Sequence, residues 1–118
     1  MNELISAENA LTINNKNLVL NLEGMYGGMS AEFANSFIEE QIQSHPYVQN
    51  VFLDMEDVGY VSKRTAGNLL YLMKELRHEN RNLFLVNVPR KLYNLFLKYG
   101  FLDFLNILNV NGNKQIEG

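Results

Sequence analysis

An α/β layer fold is predicted for this 118-residue chain by three features of its sequence. The first is a pair of short strand-like pieces around an asparagine-rich turn, which reads as a hairpin. The second is two apolar runs, at 50–55 and 83–88, of strand length. The third is a set of amphipathic helical stretches lying before, between and after those runs. Strands separated by helices are joined by crossovers, so the central strands should run parallel. The expectation is one domain with a mixed central sheet of four to five strands and three or more helices.

The elements follow in order. Residues 10–13 (Ala-Leu-Thr-Ile) form a weak strand. Asn14-Asn-Lys-Asn17 turns the chain, because asparagine tolerates positive φ and bonds its own backbone. Leu18-Val-Leu-Asn-Leu22 alternates as a strand should, and Glu23-Gly-Met-Tyr-Gly-Gly-Met29 is a glycine-rich loop. A helix is expected over 31–43, with Ser30 as its N-cap and Phe33, Ala34, Phe37, Ile38 and Ile42 as its buried stripe. His45-Pro46 ends it, since the residue before proline avoids the helical region. A strand at 50–55 leads to a second helix over 63–78, in which Ala66, Leu69, Leu70, Met73 and Leu76 recur at helical spacing. Asn80-Arg-Asn82 is a turn. Leu83-Phe-Leu-Val-Asn-Val88 reads as a strand buried on both faces. Pro89 suits the first position of a third helix, with Leu92, Leu95, Phe96 and Tyr99 inward and Gly100 as its stop. Residues 101–105 dock back, 107–110 offer a last strand, and 111–118 are a polar, frayed tail beyond a domain spanning 1–110.

Composition excludes several classes. Hydrophobic residues make up 47% of the chain, enough for a core, and charged residues 19%, so disorder is not the default. The net charge is −3 and the ten Lys and Arg are scattered, which leaves no basic stripe for nucleic acid. Without cysteine there are no disulfides or thiolate metal sites. His45 and His78 have no ligand partners at metal-motif spacing, so no metal and no cofactor are expected. The glycine-rich loop lacks the spacing that cradles nucleotide phosphates. Met1-Asn-Glu-Leu-Ile-Ser lacks a basic start followed by an apolar core, so no signal peptide is expected, and no apolar run approaches the roughly 18–20 residues of a membrane span. A soluble, cytoplasmic protein without direct membrane insertion is expected.

The most informative stretch is Ser62-Lys-Arg-Thr65, two hydroxyls and two cations where the second helix should begin. A helix start presents unpaired N–H groups and partial positive charge, so whatever sits there is read electrostatically. Ser62 is either an N-cap, accepting a bond from the N–H of Arg64 or Thr65 and contributing about 1 kcal/mol, or a phosphorylation site. Thr65 falls in the first turn with its hydroxyl partly exposed, where phosphate would be favoured. Lys63 and Arg64 oppose the helix dipole at a cost of roughly 0.3–1 kcal/mol each. Either Asp54, Glu56 and Asp57 just upstream screen them, or they meet an acidic patch on a partner.

Over about 100 residues the pattern resembles the STAS domain, the fold of bacterial anti-sigma factor antagonists. In that family an apolar strand leads through a short loop to Asp-Ser-Ser/Thr-Gly-x-Gly, which opens a helix. Leu53-Asp-Met-Glu-Asp-Val-Gly-Tyr-Val61 is similar to the strand and loop, and Gly67 falls at the motif's second glycine. Leu83–Val88 and Pro89–Leu105 are similar to the next strand and the closing helix. Aligned without a gap, Ser62 takes the motif's aspartate position, Lys63 the first serine, Arg64 the phosphorylated Ser/Thr and Thr65 the first glycine. The resemblance therefore implies an α/β, STAS-like fold with a degenerate phosphorylation motif. It implies a regulatory domain that binds a protein, an anti-sigma factor that is often kinase-like, in a partner-switching circuit. The implied surface comprises Tyr60, Ser62, Lys63, Arg64, Thr65 and Asn68, with Tyr26 and Ser30 nearby. A permanent cation at the switchable position implies a protein locked in a binding-competent state. The alternative is a STAS accessory subunit of a membrane transporter or a scaffold piece of a signalling assembly. An enzyme of the α/β class would need a nucleophile with its base or a metal set, and the sequence offers neither.

Overall fold

A computed structural model describes residues 11–14, 16–22 and 31–111. The hairpin forms as expected. β1 (Leu11–Asn14) and β2 (Asn17–Asn21) pair antiparallel with Asn14 opposite Asn17. Helix α1 (Ala31–Ser44) then crosses to β3 (Asn50–Asp54), and α2 (Lys63–His78) crosses to β4 (Asn82–Val86). The sheet order is β1-β2-β3-β4, with β2, β3 and β4 parallel. Asn17, Asn50 and Asn82 stand in one register row. Asn50 Nδ2 donates to Asn17 Oδ1 at 3.0 Å and Asn82 Nδ2 to Asn50 Oδ1 at 3.0 Å, a side-chain ladder that pins this register at the strand starts.

Along β2, β3 and β4 every second residue is buried. Leu18, Leu20, Val51, Leu53, Leu83 and Leu85 join Ile38 and Ile42 of α1 and Ala66, Leu69, Met73 and Leu76 of α2 in one core. The fourth strand departs from expectation here. Its other face is only half-buried: Phe84 stacks on Phe52 with centroids 5.4 Å apart, and both stand outside the core cluster. The helices' apolar stripes pack into a single cluster on one side of the sheet, so an apolar run in a parallel strand is not evidence of two covered faces.

The fourth strand is also shorter than its apolar run. Asn87 adopts a left-handed φ of 56° and breaks the ladder between β4 and β5 (Val88–Pro89). Asparagine accepts this conformation because its short amide bonds locally. Here its N–H donates to Asn109 Oδ1 at 2.8 Å and Asn109 Nδ2 donates back to Asn87 Oδ1 at 2.9 Å. Pro89 has φ −62° and ψ 148°, so it is the cap residue and not the first helical one; α3 runs Arg90–Tyr99. The last strand arrives in two parts, a bridge from Ile107 to Leu85 and β6 (Val110–Asn111) parallel to β5. The pairing thus reaches Asn111, one residue past the expected domain boundary, and residues 112–118 lie outside the described residues.

Helices α2 and α3 end alike. Beyond α2, Asn80 has φ 61°; its N–H reaches Arg77 O at 3.0 Å and that of Arg81 reaches Leu76 O at 2.8 Å. Beyond α3, Gly100 has φ 83°, with its own N–H on Leu97 O and that of Phe101 on Phe96 O, each at 3.0 Å. Both are left-handed caps of the Schellman kind, which satisfy carbonyls the helix leaves open.

Candidate functional site

The junction between β3 and α2 is built from the strand end outward. After β3, Met55 closes a turn by accepting the Val58 N–H at 2.9 Å, and Asp57 takes a left-handed φ of 73°. Val58 and Val61 are buried and anchor the connection, which leaves Tyr60 between them 62% exposed. Ser62 then caps α2. Its backbone is extended at φ −67° and ψ 161°, and its Oγ accepts the Thr65 N–H at 3.1 Å. The N-cap reading of Ser62 is therefore observed. The Ser62 hydroxyl also donates to Thr65 Oγ1 at 3.0 Å, so it is engaged as both donor and acceptor.

Thr65 differs from expectation. Its hydroxyl was expected partly exposed, but the residue is only 3% exposed. The cap geometry is the reason: closing on Ser62 turns the Thr65 side chain under the first turn, beside the buried Ala66. Lys63, Arg64 and Asn68 are exposed, with Arg64 and Asn68 one turn apart on the same face. No acidic residue occupies the first turn of α2, and among the described residues neither cation makes an ion pair. The upstream carboxylates do not reach them. Asp54 Oδ1 instead accepts the Glu56 N–H at 3.1 Å and Asn87 Nδ2 at 3.2 Å, which ties β3 to the β4–β5 break. The positive end of the helix and two unpaired cations thus share one exposed tip.

Sequence reasoning missed the residue that holds this tip in place. Tyr99, at the end of α3, donates from its hydroxyl to Val61 O at 2.7 Å, next to the cap. Burial raises the Tyr99 phenol above its ordinary value, and the neighbouring Tyr60 hydroxyl adds to the rise. Tyr60, Val61 and Ser62 are therefore fixed from a helix that begins almost thirty residues downstream. The inward orientation of Tyr99 was readable from helical spacing, but the identity of its acceptor was not. Tyr26 and Ser30 lie outside the described residues. Among the described residues no group of three His, Asp or Glu could hold a metal ion, and no helix is long and apolar enough to cross a membrane.

Gly67 lies at the rear of this tip. A Cβ built there meets nothing within 4 Å, and the residue is helical without positive φ. Gly67→Ala should therefore raise stability by about 0.5–1 kcal/mol, because the unfolded chain loses freedom and the helix gains a better former. An unfolding midpoint that falls would show that the space is not open.

A family model described as the STAS domain matches residues 8–112. No curated protein is similar in sequence to this chain. Several solved structures are similar in fold. The Thermotoga maritima protein TM1081 superposes with a TM-score of 0.68 at 14% identity, covering 91% of this chain and 84% of that one. RsbS of Moorella thermoacetica gives 0.63 at 14% identity, covering 92% and 93%. The anti-sigma factor antagonist SpoIIAA in its unphosphorylated form gives 0.59 at 16% identity, covering 91% and 93%.

Proposed function

The chain belongs to the STAS domain family, and from that premise we propose that it is a non-enzymatic regulator of the anti-sigma factor antagonist kind, acting in the cytoplasm by protein–protein contact. Its partner on this reading is an anti-sigma factor, including kinase-like ones, within a partner-switching circuit. The contact surface is the tip of α2: Tyr60, Ser62, Lys63, Arg64, Thr65 and Asn68, to which the family resemblance adds Tyr26 and Ser30. One observation carries the reading most: two exposed, unpaired cations are held at a capped helix start on a fold shared with an anti-sigma factor antagonist.

The same tip bears on regulation. Ser62 and Thr65 are the only hydroxyls at the start of α2, and each is bonded to the other. A phosphate on either would have to open the cap. Arg64, at the motif's switchable position, offers no hydroxyl for a Ser/Thr kinase to phosphorylate. Binding is therefore set by the fixed charge and shape of the tip, and the protein stays competent without a phosphate cycle.

Affinity capture from cell extract with wild type and Arg64→Glu tests the surface. Charge reversal at an exposed residue leaves the fold intact, and partner recovery should fall about tenfold, or ~1.4 kcal/mol. Equal recovery would place the surface elsewhere. Mass spectrometry of protein from growing cells tests the regulation. Near-complete phosphate on Ser62 or Thr65 that abolishes capture would reject the locked state. Gly67→Ala separates fold from surface, since it should melt higher yet bind more weakly if the partner closes over the tip.

A further inference from the structure

The two flanks of α2 carry opposite charge, and each borders a groove. Residues 71, 72, 75 and 76 fall on one side of a 3.6-residue helix, and 70, 73, 74 and 77 on the other. The first side faces α1 across a groove of about 360 Å³, floored by Ile42, Leu72 and Leu76. Its rim is acidic, with Glu39 of α1 opposite Glu75 of α2 and Glu79, the residue that caps it. Arg81 is the cation in this groove, but its donors are already committed to the carbonyls of Ile42, His45 and Val48 and to Glu79. Glu39 and Glu75 therefore face shared solvent with no ion pair among the described residues. Tyr71 stands between them, 61% exposed. A hydrogen bond to Glu75 and the charges of Glu75 and Glu39 all raise its phenol, so its hydroxyl senses both carboxylates.

The opposite flank borders a groove of about 390 Å³ against the turn that follows α3, with Leu70 and Met73 as its floor. Lys74 and Arg77 rim it, exposed and without ion pairs among the described residues, and Asp103 is the single acid there. Phe104, 64% exposed, projects at its edge. Each flank thus offers an apolar floor, one exposed aromatic ring and a charged rim, and the two rims are opposite in sign.

We propose that these flanks bind one another between molecules: the acidic α1–α2 groove of one copy receives the Lys74, Arg77 and Phe104 rim of a second copy of this chain. The two patches are different surfaces of one molecule, so the contact is head-to-tail. Each pair leaves one groove of each sign unfilled, and growth continues until a ring closes. Exposed charge pairs contribute little singly and are screened by salt, so the association is weak and ionic-strength dependent. The grooves lie in the last two turns of α2, away from the proposed partner tip at its first turn, so either reading can fail without the other.

Sedimentation velocity on the whole chain tests this from micromolar to submillimolar concentration. At low ionic strength the average mass should rise from that of one 13.6 kDa chain to twice that and beyond. In about 0.5 M salt, where screening acts within a few ångström, it should return to one chain. Two double variants then separate the flanks. Lys74→Glu with Arg77→Glu keeps only the acidic groove, and Glu39→Lys with Glu75→Lys keeps only the basic one. Each alone should stay monomeric, whereas their mixture should associate as wild type does, since both contacts between unlike variants again pair opposite charges. All four positions are exposed, and thermal melts check that the variants fold. Lys74→Gln with Arg77→Gln replaces the first pair should reversal unfold it. Wild type that stays at one chain mass at low salt overturns the proposal. So does a mixture that stays monomeric, or a variant that associates alone as wild type does.

Discussion

Arg81→Ala is expected to remove about 2–4 kcal/mol of stability and to lower Tm by on the order of 10 °C. Helix α1 has no basic residue in its last turn, and its local complement is His45 alone, with Nδ1 on Gln41 O at 2.7 Å and its N–H on Ile42 O at 3.2 Å. Arg81 supplies the donors from across the domain. Its Nε reaches Val48 O at 2.7 Å, and its Nη2 reaches His45 O at 3.0 Å and Ile42 O at 3.5 Å. Its side chain is only 11% exposed, so water does not readily replace the lost donors. The Nη1–Glu79 contact at 3.2 Å counts for less, because that carboxylate is 61% exposed and the pair is screened. The loss therefore comes from carbonyls that lose a charged donor, Val48 O above all since Ile42 O and His45 O each keep a backbone N–H, and not from the ion pair. Glu79→Gln should accordingly cost well under about 1 kcal/mol. Arg81→Lys should recover only part of the stability, since an ammonium lacks the planar fork that serves several carbonyls together. Urea unfolding measures all three: the midpoint should shift with the slope unchanged. A loss in Glu79→Gln equal to that in Arg81→Ala would reverse the assignment.

Arg81 also marks where sequence reading stops. Local rules found most of the chain: the asparagine turn, the alternation in β2, the helical spacing of 63–78 and the Gly100 stop each depend on residues a few positions apart. They placed Ser62 as a cap for the same reason, and the bond to the Thr65 N–H bears this out. The signals that failed were those that need a third dimension. Asn87 breaks a strand inside an apolar run because Asn109, twenty-two residues on, trades hydrogen bonds with it. Thr65 is buried because the cap closes over it. Arg81 looked like one residue of a polar turn, although the missing cation at the end of α1 was a readable hint that some distant donor had to arrive. At the site the pattern gave the position of the basic tip, while the contact from Tyr99 that fixes it was not legible from either segment alone.

That contact carries the second large effect. Tyr99→Phe removes the donor to Val61 O, and because Val61 is only 2% exposed its carbonyl is left without a ready replacement. The expected cost is about 2 kcal/mol near neutral pH, more than the mean for a hydrogen bond because the acceptor remains buried and unsatisfied. The pH dependence has a definite sign. Tyrosine is neutral when protonated, and the folded chain holds the Tyr99 proton above the ordinary value of 10.0. Above that pH the unfolded chain gives up its proton while the folded chain keeps it, so the unfolded state gains. The Tyr99 contribution is thus whole below about pH 10 and drains as pH rises through the folded value. Phenylalanine cannot titrate, so the gap between wild type and variant should narrow above pH 10. Tyr71 is raised as well, but it is present in both chains and cancels in the difference. Chemical unfolding of both proteins between neutral pH and the alkaline limb gives that gap directly, and one that stays constant would show that the Tyr99 hydroxyl does not hold the bond. Hydrogen exchange gives the link to function. With the anchor gone, the segment from Tyr60 to Ser62 loses its hold on α3, and the Thr65 and Ala66 amides, bonded at 3.1 Å and 2.9 Å to Ser62, should exchange faster than those in the middle of α2. Uniform acceleration along the helix would mean that the tip is held by the core alone.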